Sequence, residues 1–143
     1  LPFANTLVEM QMTGAEIKTV LEEALDYALQ PDGSDGAYPY AAGLRWHLDI
    51  SKPMGERLSG MEFKGRDDNN WMPLGMNTSY TLVTNNYVAG GRDGYLSFKT
   101  VKNDGRYVDT YLDYAQSFVD YVEERGTITK LPASEYSTQS ITR

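Results

Sequence analysis

The sequence predicts an α+β fold in which mixed β-sheet is covered by helices, and three observations predict it. Apolar periodicity switches between two and 3.6 residues along the chain. The elements run in the order strand, helix, several strands, helix, and no internal repeat or linker divides them. The chain has 143 residues, the size of one ordinary domain. A chain this long hides roughly 68% of its unfolded surface and can build a core without staples.

Residues 6–12 alternate, with Val8, Met10 and Met12 on one face and Glu9 and Gln11 on the other, the pattern of a half-buried strand. Thr13-Gly14-Ala15-Glu16 reads as a capping box, in which the Thr13 hydroxyl and the Glu16 carboxylate each satisfy an orphan backbone donor. Behind it Ile17, Leu21, Ala24, Leu25 and Ala28 fall at helical spacing, which predicts a helix of about four turns. Pro31 to Gly36 is a loop by composition.

Leu44, Trp46, Leu48 and Ile50 alternate with Arg45, His47 and Asp49, a strand with one wet face on which His47 reads as a solvated side chain. A further strand is expected over Leu58 to Phe63. The stretch Gly65 to Asn70 lacks the glycine and closing glutamate of a calcium loop and reads as a turn. Tyr80 to Asn85 predicts another strand, and Tyr95, Leu96 and Phe98 are read as extended structure. The last helix is expected from about Thr110 to Arg125, with Leu112, Ala115, Phe118, Val119 and Val122 as its apolar stripe and Gly126 as its stop. The polar tail after Leu131 reads as a docked strap or a frayed end.

Composition excludes several functions. Hydrophobic residues make up 41% and charged residues 23%, the balance of a globular protein. Twenty acids against thirteen bases give −7, which argues against nucleic acid as the main partner. No apolar run approaches the roughly 18 residues of a membrane span. Cysteine is absent and His47 is the only histidine, so thiolate chemistry is excluded and metal or triad chemistry is poorly served. The opening Leu1-Pro2-Phe3, without an initiator Met or a signal segment, reads as that of an excised or processed piece.

Three segments could carry chemistry. In Tyr87 to Tyr95, Gly90, Gly91 and Gly94 permit a sharp turn and close approach to a ligand. Asp93 offers two acceptor oxygens suited to vicinal hydroxyls, and Tyr87 offers a flat π-face, so together they suit a nucleoside. The other reading is a glycine-rich hairpin in which Asp93 bonds its own backbone. It is not a phosphate loop, since neither G-x-G-x-x-G nor the Walker pattern is present. In Leu1 to Asn5, Phe3 could stack on a base and Asn5 could read its polar edge; Phe3 could equally be a core anchor. In Gly36-Ala37-Tyr38-Pro39, Gly36 could bring main chain to a ligand and Tyr38 could line a cleft, or the segment is a turn with core contacts.

At these residues the chain resembles the C-terminal domain of the 5′-nucleotidase family. The match is carried in order by Leu1 to Leu7 with Thr13-Gly14-Ala15-Glu16, by Gly36-Ala37-Tyr38-Pro39, by Thr84-Asn85-Asn86-Tyr87 and by Gly90-Gly91-Arg92-Asp93-Gly94-Tyr95. The run Tyr114 to Val122 fits as well, so the resemblance covers nearly the whole chain. It implies a layered α/β/β/α fold and a division of labour. An N-terminal metallophosphoesterase domain, absent from this chain, would hold two divalent metal ions and the catalytic Asp–His pair. Residues 1–143 would form the substrate-binding domain, with no cofactor and no catalytic residue of its own.

By the same resemblance Phe3 and Tyr87 would sandwich the base, Asn5 would bond its edge, Asp93 would accept from the ribose hydroxyls and Gly36 would make a main-chain contact. The parent would hydrolyse 5′-nucleotides, UDP-sugars or NAD in the periplasm or outside the cell. The alternative is a stand-alone aromatic-lined module for a sugar or nucleoside, with no enzymatic parent. Two departures stand out. Arg92 precedes Asp93 where the family usually has glycine, which calls for an unusual backbone angle or a different turn and offers a contact to a second phosphate or charged leaving group. Tyr87 stands where phenylalanine is usual.

Overall fold

The computed structural model describes residues 4–143, and in it two sheets share one core. Strand β1 (Thr6–Thr13) is central in the first, three-stranded sheet, antiparallel to β5 (Ser79–Asn85) on one side and β6 (Tyr107–Asp113) on the other. The second sheet has the order β4 (Met72–Pro73), β3 (Leu58–Phe63), β2 (Leu44–Asp49), β7 (Thr138–Thr142). It is mixed: β2 is antiparallel to β3 but parallel to β7. Helices α1 (Gly14–Leu29), α2 (Asn86–Ala89), α3 (Leu96–Asn103) and α4 (Tyr114–Arg125) complete the α+β architecture.

The alternation in β1 does what it predicts. Val8, Met10 and Met12 are fully buried while Glu9 and Gln11 face solvent. Burial of each such side chain contributes about 1.5–3 kcal/mol. The capping box forms as read: Thr13 Oγ1 accepts from the Glu16 N–H at 3.2 Å, and the Thr13 N–H donates to Glu16 Oε1 at 2.9 Å. Glu16 is also forked by Arg106, whose Nη1 and Nη2 reach its two oxygens at 2.8 Å, so one carboxylate fixes the start of α1 and the start of β6 together.

Glu22 is buried within α1, with two donors on each oxygen of its carboxylate. It accepts from the N–H groups of Gly55, Arg57 and Leu58 and from Lys18 Nζ, and so holds the start of β3 against the helix. His47 lies exposed on the wet face of β2, with Nδ1 2.7 Å from Ser140 Oγ, and residues 65–70 form a turn, both as expected.

Three expectations are corrected and one open alternative is resolved. Residues 96–98 are not extended but open α3, because Glu23 of α1 accepts from the Ser97 N–H at 2.9 Å at its N-terminus and because Phe98 and Val101 share a buried face. The last helix starts at Tyr114, not Thr110. Residues 107–113 pair with β1 instead, and Asp113 caps the helix by accepting from the Gln116 N–H at 2.7 Å. The stripe on α4 has no buried residue among those described; Phe118 is 61% exposed. The tail is a strap, ending in β7 beside β2.

Two outcomes follow for stability. Replacing Glu22 with Ala leaves the buried Leu58 N–H and the part-buried Gly55 and Arg57 N–H groups without their acceptor and should cost about 3–5 kcal/mol in urea unfolding. Arg106 and the Thr13 N–H pull the Glu16 pKa from 4.5 down to about 2. Its contribution is therefore complete above pH 4.5 and fades as the pH falls towards 2. The urea midpoint should drop across that window, and E16Q should flatten that part of the profile.

Candidate functional site

The register of β1 against β5, Leu7 opposite Asn85, brings two distant segments to one end of the first sheet. Asn85 ends β5 by accepting from the Val88 N–H at 3.0 Å, which opens the single turn of α2. The next side chain, Asn86, accepts from the Thr6 N–H through Oδ1 at 3.0 Å. Asn5, one residue before Thr6, is thereby held near Tyr87, one residue after Asn86. Tyr87 exposes 45% of its surface, and Asn5 is half-buried with its carbonyl accepting from the Tyr114 N–H at 2.8 Å.

Beyond α2 the chain doubles back through Gly91 (φ 91°), Asp93 (φ 56°) and Gly94 (φ 85°). A Cβ at Gly94 would stand 2.4 Å from Cβ of Tyr27, so only glycine fits there. Arg92 is outside the left-handed region, and the strain falls on Asp93, a residue type that tolerates it. Arginine in place of the usual glycine therefore needs no altered turn. Its guanidinium lies over the Tyr87 ring, with Cζ 5.7 Å from the centroid.

Tyr95 closes the arrangement. Its hydroxyl donates to the Ala37 carbonyl at 3.0 Å, and its ring stacks on Phe98 at 5.5 Å. Burial first, and the Asp93 charge second, push its pKa up to about 12, so the phenol keeps the proton that it donates. This tie brings the Asp93 turn to the Gly36 turn. Both residues line one cleft of about 790 Å³, walled by residues 80–85 of β5, the 36–44 segment and residues 63–66.

Gly36 has an ordinary backbone angle, and a Cβ there would meet only Ser34 Oγ at 3.4 Å. The internal packing of the fold does not require glycine at this position, which opens onto the cleft. Asp93 presents carboxylate oxygens that accept only, suited to a pair of hydroxyl donors.

The five residues singled out by sequence thus separate. Gly36 and Asp93 line the cleft, whereas Tyr87 and Asn5 stand beside it, reached through the lining residues Asn85 and Val88 and, for Asn5, through Tyr114. Phe3 lies outside the described residues. Tyr38 lines the cleft and also hydrogen-bonds Thr138 through its hydroxyl. Sequence reasoning missed Arg66 and Tyr40, both exposed lining residues; their only signals are a cation inside an acidic turn and an aromatic after Pro39. Among the described residues no cluster of three His, Asp or Glu could hold a metal ion.

Residues 1–102 match the family model of the 5′-nucleotidase C-terminal domain. The chain is 43% identical over 127 residues to an NAD 5′-nucleotidase of Haemophilus influenzae, covering 87% of this chain and 21% of that protein. It is 38% identical over 123 residues to a probable 5′-nucleotidase of Treponema pallidum, covering 85% and 20%. The structure of the Haemophilus influenzae NAD nucleotidase superposes with a TM-score of 0.88 at 37% identity, over 100% of this chain and 25% of that one. The chain spans about a fifth of the length of the curated relatives it matches.

Removing the Tyr95 hydroxyl tests the tie between the two turns. Y95F should lower stability by about 1 kcal/mol and speed amide exchange at Ala37 and Tyr38 more than in α1. In the unaltered chain, Tyr95 and Tyr107, both with pKa values raised chiefly by burial, should ionise later than ordinary tyrosines in ultraviolet titration, and Y95F should remove one of the two late signals.

Proposed function

The chain belongs to the 5′-nucleotidase C-terminal domain family, and from that premise we propose that it is the substrate-recognition domain of a metal-dependent nucleotide hydrolase. Residues 1–143 bind the nucleoside. Two divalent metal ions, which an N-terminal metallophosphoesterase domain outside this chain would hold, would supply the Lewis-acid chemistry for phosphate hydrolysis. The parent acts in the periplasm or outside the cell; among the described residues no helix is long and apolar enough to cross a membrane.

One observation carries the reading: Asp93 and Gly36, far apart in sequence, line the same cleft, with the half-exposed Tyr87 ring beside it. In the proposed complex Tyr87 stacks on one face of the base and Phe3 on the other. Stacking is worth about 1–3 kcal/mol per base and tolerates any base. Asn5 donates to and accepts from the base edge, since its amide does both. Asp93 accepts from the ribose 2′ and 3′ hydroxyls, each such charge-assisted bond contributing about 1.5–3 kcal/mol. Gly36 lets main chain approach where a side chain would intrude. This chain's residues thereby orient the phosphate without themselves breaking a bond, and the binding energy becomes positioning.

Titration of the chain with adenosine, followed by NMR, tests this. Shifts should concentrate on Phe3, Asn5, Gly36, Tyr87 and Asp93. Y87A and D93N should each weaken binding by about tenfold or more. Shifts confined to other residues, or unchanged affinity in both variants, would overturn the reading.

A further inference from the structure

The role of Arg92 is not absorbed by nucleoside binding, and the geometry points to Arg92 as the residue that selects a phosphorylated nucleoside over the free nucleoside. This rests on the nucleoside-binding reading of the same site and goes one group further along the ligand.

Three observations carry it. First, among the described residues Arg45, Arg57 and Arg106 are neutralised by carboxylates, whereas the exposed Arg92 side chain, like those of Arg66, Arg125 and Arg143, has neither an ion pair nor a hydrogen bond, even beside Asp93. Second, its backbone is fixed: the Arg92 carbonyl accepts from the Tyr95 N–H at 3.1 Å, and the adjacent Asp93 and Gly94 turn is set by left-handed angles. Third, its guanidinium lies over the Tyr87 ring rather than extending away from it.

An aromatic ring attracts a guanidinium without cancelling its charge. The planar group keeps its edge N–H donors free while it rests on the ring, and that edge matches two phosphate oxygens. Arg92 is thus held close to the proposed base platform with its charge unspent, which lowers the ordering cost of gripping an anion. A free nucleoside offers it nothing. A nucleoside 5′-phosphate offers it a dianion, and loss of that phosphate weakens retention of the product.

The test is calorimetric titration of the chain with adenosine and with AMP, in dilute and in concentrated salt. The unaltered chain should bind AMP about fivefold more tightly than adenosine in dilute salt, with the gap closing as salt rises. R92Q should bring the two affinities together, and R92K should retain part of the preference. R125Q removes the same charge from another cation–tyrosine pair, on α4 over Tyr121, and should leave the ratio whole. An unchanged ratio in R92Q, or an equal loss in R125Q, would overturn the role of Arg92. If adenosine binding depends on Tyr87 and Asp93 while the R92Q ratio is unchanged, only this inference falls. If adenosine and AMP both fail to bind, or Y87A leaves adenosine affinity unaltered, the nucleoside-binding reading falls with it.

Discussion

The hydrogen-bond register of β1 against its two neighbours is the constraint from which the rest follows. Met10 lies opposite Leu82 on β5 and Tyr107 on β6, and a slip of one residue would turn Val8, Met10 and Met12 out of the core. The same register fixes both ends of the strand. At one end it delivers Thr13 to the capping box and to the carboxylate shared with Arg106. At the other it sets Leu7 against Asn85, so that Asn86 can hold the Thr6 N–H and bring Asn5 towards Tyr87. Core and candidate site are specified by one choice of pairing.

The site is assembled by polar ties that are few and long in sequence. Tyr95 joins turns that are 58 residues apart, and Asn86 joins segments that are 80 apart. Each tie uses a strong donor or acceptor in a partly buried place, where leaving a partner unmade costs more than making the bond gains. Side chains that would contact a ligand are accordingly on turns, while the residues that aim them stand on or beside regular elements. Asp93 sits in a left-handed conformation between Gly91 and Gly94, and this local strain is tolerated because Tyr95 and the start of α3 anchor the chain just beyond.

What was legible in the sequence was whatever is encoded locally. The alternation of β1, the capping box at Thr13 and Glu16, the wet face carrying His47 and the stop at Gly126 all stand as read. What was misread depends on a distant partner. Leu96 and Phe98 alternate like a strand, but Glu23 on α1 accepts from the Ser97 N–H across 74 residues and makes that point a helix start. Leu112 fits the stripe of α4 by spacing, yet pairing of residues 107–113 with β1 holds it in a strand. No pattern within residues 132–143 announces parallel pairing with β2. The site was legible as residue types, Gly36 and Asp93 above all, but their convergence on one cleft needed Tyr95 and Ala37.

Arg92 shows how a local departure is absorbed without disturbing the turn. Glycine would be obligatory there only if position 92 needed a left-handed angle, and that demand falls on positions 91, 93 and 94 instead. The turn leaves position 92 free to carry a side chain, and an arginine placed there gains a ring to rest on while its charge stays uncompensated within the described chain. On the proposed reading this separates two tasks that stacking alone cannot separate. The ring and the carboxylate recognise base and ribose, which substrate and dephosphorylated product share, so they hold both equally. Only a cation that meets the phosphate distinguishes the two, and a recognition domain that discriminates in this way holds its ligand before the phosphate is lost and releases it afterwards.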